Sequence, residues 1–327
     1  MNEATEIFPA AQRDLNALED QLNSVIVGQK QLLRYVVIAC FAGGHVLLEG
    51  LPGLGKTHLA KALAASLQLQ LGRIQCTPDL LPADLTGSEV LTGTLDSPGV
   101  IRFRPGPVFA NLVLVDEINR ATPRTQAALL EAMQERQVTC NGESHALPDP
   151  FWVIATQNPI ELEGTFPLPE AQLDRFMFKL LVPYPDHDSL EDLLVATLDR
   201  EPADFVKPVM SFERGAEIRA VARQVLVADT LRRDAIRLVL DTQPDSGSEF
   251  ARQHVRYGAS PRALQSLIRA ARIRALLEGR AHIAADDLAA LAMPVLRHRI
   301  LLQTSSELDG HTADSVLEDI IGAWIKG

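Results

Sequence analysis

Short, unbroken apolar runs alternate with helical stretches along the first half of the chain. The five runs are Val46 to Glu49, Leu71 to Gln75, Leu112 to Val115, Trp152 to Thr156 and Met177 to Val182. Strands that are buried on both faces look like this, because no alternate position has to face water. The pattern predicts an α/β fold with a mostly parallel five-stranded sheet flanked by helices, although the order of the strands does not follow from it.

Beyond residue 186 the strand-like runs stop and amphipathic helical patterns replace them. One predicted helix carries Leu190, Leu193, Leu194 and Leu198. Another opens with Ser260-Pro261 and carries Leu264, Leu267, Ile268, Ala271 and Leu276. These spacings place the apolar side chains on one helical face. We therefore predict an α/β core over residues 1–186 and an all-helical second domain over residues 187–327.

Two insertions interrupt the alternation of strands and helices in the core. The first, about 77–107, is rich in glycine and proline and contains no long element, which is typical of a functional loop. The second, about 137–150, follows a helix that begins at Thr122-Pro123 and contains Asn141-Gly142 between β-prone pieces. Since Asn-Gly is the strongest short-range signal for a tight β-turn, this insertion is predicted to be a projecting hairpin.

Composition and charge narrow the class of protein. The chain has 327 residues, of which 46% are hydrophobic, and a net charge of −11. An acidic surface disfavours nucleic acid as a partner unless a local basic patch exists. The longest apolar stretch is too short to span a bilayer, and the acidic N-terminus does not resemble an export signal. These features predict a soluble, cytoplasmic protein without a membrane span.

One octapeptide carries the clearest chemical signal. It reads Gly50-Leu51-Pro52-Gly53-Leu54-Gly55-Lys56-Thr57 and is followed by His58. A strand precedes it and a helix follows, which is the context that a phosphate-binding P-loop requires. The glycines let backbone N–H groups converge on phosphates, Lys56 would neutralise the β- and γ-phosphates, and the Thr57 hydroxyl would hold Mg²⁺. The motif predicts ATP and Mg²⁺ as ligands.

Two adjacent acids end the apolar run at Leu112. Asp116 is placed to lie near the metal held by Thr57, and Glu117, one residue further, to polarise a water that attacks the γ-phosphate. An acidic turn after a strand is the alternative, but a strand of this kind downstream of a P-loop favours the catalytic interpretation.

Asn158 ends the run that starts at Trp152. Its amide can donate to a phosphate and accept from a water at the same time, which suits a residue that orients the nucleophile. An Asn158-Pro159 turn that merely closes the strand is locally an equally good interpretation. The order of the motifs favours the functional one.

In this order the motifs resemble those of MoxR-type AAA+ ATPases, in the branch that shares a helix-2 insertion and a pre-sensor hairpin. The resemblance runs from Val27 to Arg299. It is carried by the P-loop, Asp116-Glu117-Ile118-Asn119-Arg120, Ala155-Thr156-Gln157-Asn158-Pro159, Leu168-Pro169-Glu170-Ala171-Gln172-Leu173-Asp174-Arg175-Phe176 and Gly258-Ala259-Ser260-Pro261-Arg262-Ala263.

The resemblance implies a P-loop AAA+ core with a helical lid and a ring, usually a hexamer, with nucleotide at each subunit boundary. Val27 and Gly28 match the segment that contacts adenine. Arg175 matches the arginine finger, and Arg262 the lid residue that senses phosphate; whether Arg262 acts in its own subunit stays open. From the residues alone, Asp174-Arg175 could equally be a surface ion pair.

The resemblance also implies a chaperone-like ATPase that remodels or matures a protein client together with a partner carrying a von Willebrand factor A (VWA) domain. A DNA-associated motor and a nucleotide-gated scaffold with low turnover are the alternatives. The lid arginines are expected to form a solvated helix surface or a subunit contact rather than a nucleic-acid face, because aromatic residues are not interleaved with them. They are Arg269, Arg272, Arg274, Arg280, Arg297 and Arg299.

Overall fold

The computed structural model describes residues 3–92, 100–160, 164–197 and 206–326. The strands are β1 (Val46–Glu49), β2 (Leu71–Gln75), β3 (Gly87–Thr92), β4 (Val100–Pro105), β5 (Leu112–Asp116), β6 (Gln137–Cys140), β7 (Glu143–Ala146), β8 (Trp152–Gln157), β9 (Phe178–Leu181), β10 (Val255–Tyr257) and β11 (Leu301–Leu302). The helices are α1 (Glu3–Val25), α2 (Lys30–Phe41), α3 (Lys56–Ser66), α4 (Pro82–Thr86), α5 (Pro123–Glu135), α6 (Glu170–Leu173), α7 (His187–Thr197), α8 (Phe212–Ala222), α9 (Asp229–Leu240), α10 (Glu249–His254), α11 (Pro261–Leu277), α12 (Ala285–Leu296), α13 (Thr304–Leu308) and α14 (Ala313–Lys326).

The five predicted runs form one parallel sheet with the strand order β2-β5-β8-β1-β9. Successive residues of each strand point to opposite faces. In β1, for example, Val46 and Leu48 pack into one apolar cluster and Leu47 into the other. Both faces are therefore covered around the central strands, which explains their apolar runs and confirms the predicted fold class. The edge strand β2 differs, because its Arg73 and Gln75 are exposed. All five carboxyl ends meet at one edge of the sheet.

Both insertions contain a two-stranded antiparallel hairpin. In the second, β6 pairs with β7 around Asn141 (φ +48°) and Gly142 (φ +86°), so the predicted hairpin is confirmed. In the first, β3 pairs with β4. The stacked rings of Phe103 and His145, with centroids 3.9 Å apart, join the two hairpins. The central part of the first insertion, 93–99, lies outside the described residues.

The described part of the chain after residue 186 is helical, as predicted, except for one short pair of strands. Val255–Tyr257 and Leu301–Leu302 form a short antiparallel pair, which the hydrophobic pattern of the sequence did not predict. The helix predicted from Leu190 is present as α7, but Leu198 lies outside the described residues. The helix predicted from Ser260 is α11, whose first turn is capped by the Ser260 hydroxyl.

The helical part and the sheet share one apolar core. A single cluster runs from α1 and α2 through one face of the sheet into α11, α12 and α14. The second cluster lies on the opposite face, under α5 and the insertions. A boundary at residue 186 therefore stays a proposal. Among the helices that the structure describes, none is both long enough and apolar enough to cross a lipid bilayer.

Candidate nucleotide-binding site

The P-loop follows β1 and leads into α3. Gly53 (φ +83°) and Gly55 (φ +75°) adopt left-handed conformations that other residues rarely take, and Gly55 is the N-cap of α3. Gly50 is required for a different reason, because a Cβ there would lie 2.8 Å from the Cβ of Val182. The loop thus opens towards the N-terminus of a helix, where backbone N–H groups attract anions.

Lys56 reaches back across this loop. Its ammonium donates a hydrogen bond to the carbonyl of Gly50 at 2.5 Å. Partial burial lowers the pKa of Lys56, while the negative charges of Asp116 and Glu117 act in the opposite direction. The basic group and the two predicted acidic groups are therefore close enough to influence each other.

Asp116 and Glu117 lie beside the P-loop at the same edge of the sheet. Asp116 is buried, and its Oδ2 accepts a hydrogen bond from Arg73 Nε at 2.9 Å. Glu117 has a left-handed backbone (φ +56°, ψ +53°), and its N–H donates to the Thr156 hydroxyl at 2.9 Å. Arg120 Nη1 donates to Glu117 Oε2 at 3.1 Å. Neighbouring strands thus hold both carboxylates in defined positions.

Asn158 is buried and follows directly after β8. Its Oδ1 accepts a hydrogen bond from the N–H of Ile160 at 3.1 Å, which is the bond expected if the residue closes a turn. The side chain nevertheless faces the cavity described next. The turn and the polar position in the site are compatible with each other.

A polar cavity of about 300 Å³ brings most of the predicted phosphate- and metal-binding residues together. It is lined by Pro52, Gly53, Gly55, Lys56, Thr57, His58, Arg73, Gln75, Asp116, Glu117, Thr156 and Asn158. Arg73, Gln75 and Thr156 were not predicted. Arg73 and Gln75 are two positions apart in β2, so their side chains lie on the same face of the sheet. This pair of polar residues in an otherwise apolar strand could have indicated that they belong to the site.

A second cavity, of about 350 Å³ and mostly apolar, shares Pro52, Gly53, Gly55 and His58 with the first. Its other lining residues are Val25, Ile26, Val27, Gln29, Leu54, Tyr184, Pro185, Ser189 and Leu190. Gly28 (φ +77°) does not line it, but a Cβ at Gly28 would lie 2.6 Å from the Ser189 hydroxyl. Gly28 therefore lets the Val27 segment pack closely against α7.

Neither Arg175 nor Arg262 lines either of these two cavities, and both lie near Asp174. Arg262 Nη1 is 3.6 Å from Asp174 Oδ2, and Asp174 immediately precedes Arg175. The Ser260 hydroxyl donates to Asp174 at 2.9 Å. Asp174 therefore pairs with the lid, not with Arg175, whose buried Nε has no hydrogen-bond partner among the described residues.

Arg299 completes this contact between core and lid. Its side chain is only 1% exposed; Nε donates to Asp174 Oδ1 at 2.7 Å, and Nη2 donates to the Phe176 carbonyl at 2.6 Å. The expectation of a solvated face is wrong for this arginine. Arg274 and Arg280 likewise pair with the buried Asp287. The pair of Asp174 and Arg299 could not be predicted from local sequence, because the two residues are 125 positions apart.

Comparison with known proteins agrees with this arrangement. Residues 45–178 match the model of the ATPase family associated with various cellular activities (AAA), and residues 248–320 match that of the AAA lid domain. The chain is 37% identical to Chaperone MoxR1 of Mycobacterium tuberculosis over 92% of this chain and 79% of that protein. It is 33% identical to protein MoxR of Methylorubrum extorquens over 89% and 88%.

The chain belongs to the MoxR-type AAA+ ATPases. It is also 40% identical to the uncharacterized protein YeaC of Bacillus subtilis over 96% of both chains. The chain also superposes on the crystal structure of a Cytophaga hutchinsonii protein that is named as an ATPase by inference. The TM-score is 0.89 at 37% sequence identity, and the match covers 98% of this chain and 96% of the other. This MoxR-type protein is therefore a nucleotide-binding, ATP-hydrolysing enzyme with an AAA core and a helical lid.

Proposed function

We propose that ATP binds across the two joined cavities, with adenine in the apolar one and the triphosphate in the polar one. Val27 and Leu54 supply apolar surface for the base. The P-loop amides and Lys56 receive the phosphates at the N-terminus of α3. The sharing of P-loop residues by the two cavities supports a single ligand that spans them.

Thr57 and Asp116 fit a magnesium ion, because a hydroxyl and a carboxylate that line one cavity are the hard oxygen ligands that Mg²⁺ takes. Arg73 contacts one carboxylate oxygen of Asp116, which leaves the other for the metal. Bound Mg²⁺ would offset the negative charge of the β- and γ-phosphates.

Glu117 is the residue that polarises the attacking water, and Asn158 orients that water or the γ-phosphate. The Thr156 hydroxyl fixes the backbone of Glu117, and Arg120 restrains its carboxylate. Because these contacts are made before any substrate arrives, little reorganisation is needed when charge develops on the phosphoryl group.

Arg175 and Arg262 act on the nucleotide of an adjoining subunit in a ring, which the family resemblance implies is a hexamer. The observation that carries this proposal is their joint position around Asp174, away from the cavity that holds Lys56, Asp116 and Glu117. An arginine supplied by a neighbour contributes about 10³- to 10⁵-fold in rate, so hydrolysis would depend on assembly.

This ring would use ATP hydrolysis to remodel or mature protein clients in the cytoplasm, with a VWA-domain protein as partner. The naming of the M. tuberculosis relative as a chaperone supports this role. The hairpins β3–β4 and β6–β7 are candidates for client contact, since Leu91 and Ile101 are 74% and 64% exposed.

A mixing experiment tests the action of Arg175 in trans. Arg175→Ala and Lys56→Ala should each hydrolyse ATP slowly in isolation. When equal amounts mix at random, about a quarter of the interfaces combine an intact P-loop with an intact Arg175. Turnover in the mixture should therefore exceed that of either variant alone. An absence of rescue, with subunit exchange demonstrated by fluorescence transfer, would refute the assignment.

The same turnover assay separates the alternative functions. Stimulation by duplex DNA with strand separation would indicate a DNA motor, and a negligible rate for the wild-type protein in every condition would indicate a scaffold. Affinity capture with the Glu117→Gln variant in ATP would identify the client and show whether a VWA-domain protein accompanies it.

A further inference from the structure

A third cavity lies at the edge of the sheet opposite the P-loop. It measures about 350 Å³ and is bounded by the chain around Gly43 and by the lid helices α8 and α11. Gly43 precedes the amino end of β1, whereas the P-loop follows its carboxyl end. The strands of this sheet are parallel, so the third cavity and the nucleotide site are on opposite edges.

Five arginines and one carboxylate line this cavity. They are Arg136, Arg219, Arg223, Arg269, Arg272 and Asp149. Their excess of four positive charges is concentrated in a chain whose net charge is −11. Nothing in the proposed ATPase mechanism uses these residues.

Asp149 neutralises only part of this charge. Its Oδ1 lies 3.7 Å from Arg136 Nη1 and 3.4 Å from Arg219 Nη1. The remaining three arginines, Arg223, Arg269 and Arg272, have no carboxylate within 4 Å among the described residues. Like charges brought together in this way repel each other unless an anion lies between them.

One further feature indicates that the arrangement is unfavourable without a counter-ion. The Nε of Arg272 is buried and has no hydrogen-bond partner among the residues that the structure describes. A buried donor of this kind destabilises a fold unless a ligand accepts its hydrogen bond.

Electrostatics agree with this description. Partial burial, and after it the charge of Arg136, lower the pKa of Arg269. Arg269 and Arg136 belong to different parts of the fold, α11 in the lid and the end of α5 in the core. The lid and the core thus bring like charges together where they meet.

We propose that this cavity binds a compact anion that carries two or more phosphate groups. Each phosphate group brings between one and two negative charges and several acceptor oxygens in a small volume, so two or three of them balance four positive charges within 350 Å³. The fork of a guanidinium matches phosphate oxygens in pairs, and arginine is the only basic residue type here. A ligand that used carboxylates instead would need four of them to balance the same charge, for example four acidic side chains of a peptide.

Inorganic tripolyphosphate in the Lys56→Ala background is the probe, because this background removes the P-loop lysine that would otherwise bind it. Titration calorimetry should detect one site per chain. Arg269→Gln together with Arg272→Gln should weaken binding by about 100-fold, since each charge-assisted contact contributes about tenfold. Arg223→Gln alone, at an exposed position, should weaken it by about tenfold.

Arg232→Gln together with Arg233→Gln is the matched control. It removes two positive charges from exposed positions of α9, outside the cavity, and should leave the affinity within about twofold. An equal loss in this control would attribute binding to net charge and overturn the proposal. No binding in the Lys56→Ala background would do the same, as would tighter binding of a tetraglutamate peptide than of tripolyphosphate. Thermal melts show whether each variant is folded. If the double variant is not folded, Arg223→Gln alone provides the test.

Discussion

Glu117 holds a left-handed backbone conformation that costs a residue with a side chain on the order of 1 kcal/mol. The hydrogen bond from its N–H to Thr156 stabilises this conformation and places its carboxylate at the polar cavity. The hydrogen bond from a neighbouring strand thus offsets the strain at this residue, and it fixes the position of the proposed catalytic carboxylate.

Glu117→Gln should retain ATP and lose turnover, because the amide keeps the shape of the side chain but cannot polarise water. We expect the rate to fall by about 10²- to 10⁴-fold, measured as phosphate release, with the affinity for a fluorescent ATP analogue within a few-fold of wild type. Glu131→Gln, an exposed position on α5, is the control and should leave both quantities unchanged. Rapid hydrolysis by Glu117→Gln would contradict the role.

At the scale of elements, the sequence predicted the features that local chemistry determines. Thr122 and Ser260 cap α5 and α11, and Asn141-Gly142 forms the turn between β6 and β7, because each depends on residues within a few positions. The pairing of β10 with β11 was not predictable, since strands of two or three residues are too short to show a period.

The start of α11 joins the lid to the segment that carries Arg175. The Ser260 hydroxyl both caps this helix and donates to Asp174. Ser260→Ala should therefore reduce the free energy of unfolding by about 1 kcal/mol and also reduce kcat by about tenfold, because the neighbourhood of Arg175 loses its support. Chemical denaturation and steady-state assays measure the two effects.

Ser211→Ala provides the comparison for that variant. Ser211 caps α8 in the same way, through a hydrogen bond to the N–H of Arg214, and has no contact with Asp174. It should lose similar stability and keep its kcat. If both variants kept full activity, the contact between Ser260 and Asp174 would be structural only.

At the scale of the whole molecule, the sequence predicted the site residues that belong to contiguous motifs. It did not predict the residues that only the fold brings into contact. The P-loop, Asp116 and Glu117 are contiguous signals that follow strands. Arg73 pairs with Asp116 on another strand, and Arg299 of the lid pairs with Asp174 of the core. The sequence does not specify which strands are adjacent or where the lid meets the core. The shared apolar core explains why the predicted domain boundary remains a proposal.

The ion pair between the buried Arg299 and the half-buried Asp174 makes the stability of the core depend on the lid. Burial lowers the pKa of Arg299, while the Asp174 carboxylate acts in the opposite direction. Asp174→Asn should lower the free energy of unfolding by about 3–5 kcal/mol, because a buried cation loses its partner. Adding Arg299→Met should recover part of that loss in urea denaturation. A second change that only added to the loss would show that the pair is not the cause.

The contact of Arg262 with Asp174, the residue before Arg175, leads to a prediction about the assembled ring. If both arginines serve the neighbouring subunit, every interface receives them from the same chain. In a mixture of Arg175→Ala with Arg262→Ala, each interface then lacks one of the two, and turnover should stay as low as in the separate variants. If Arg262 instead acted in its own subunit, an Arg175→Ala subunit followed by an Arg262→Ala subunit would form a complete site.

Mixtures with Lys56→Ala are the positive control for this experiment, because either arginine variant should then be rescued. If Lys56→Ala rescues each arginine variant, and the mixture of the two arginine variants shows no rise in turnover, both arginines act in trans. Recovery of activity in that mixture would place Arg262 in the subunit that binds the nucleotide. Its 3.6 Å approach to Asp174 would then have to be released during the catalytic cycle.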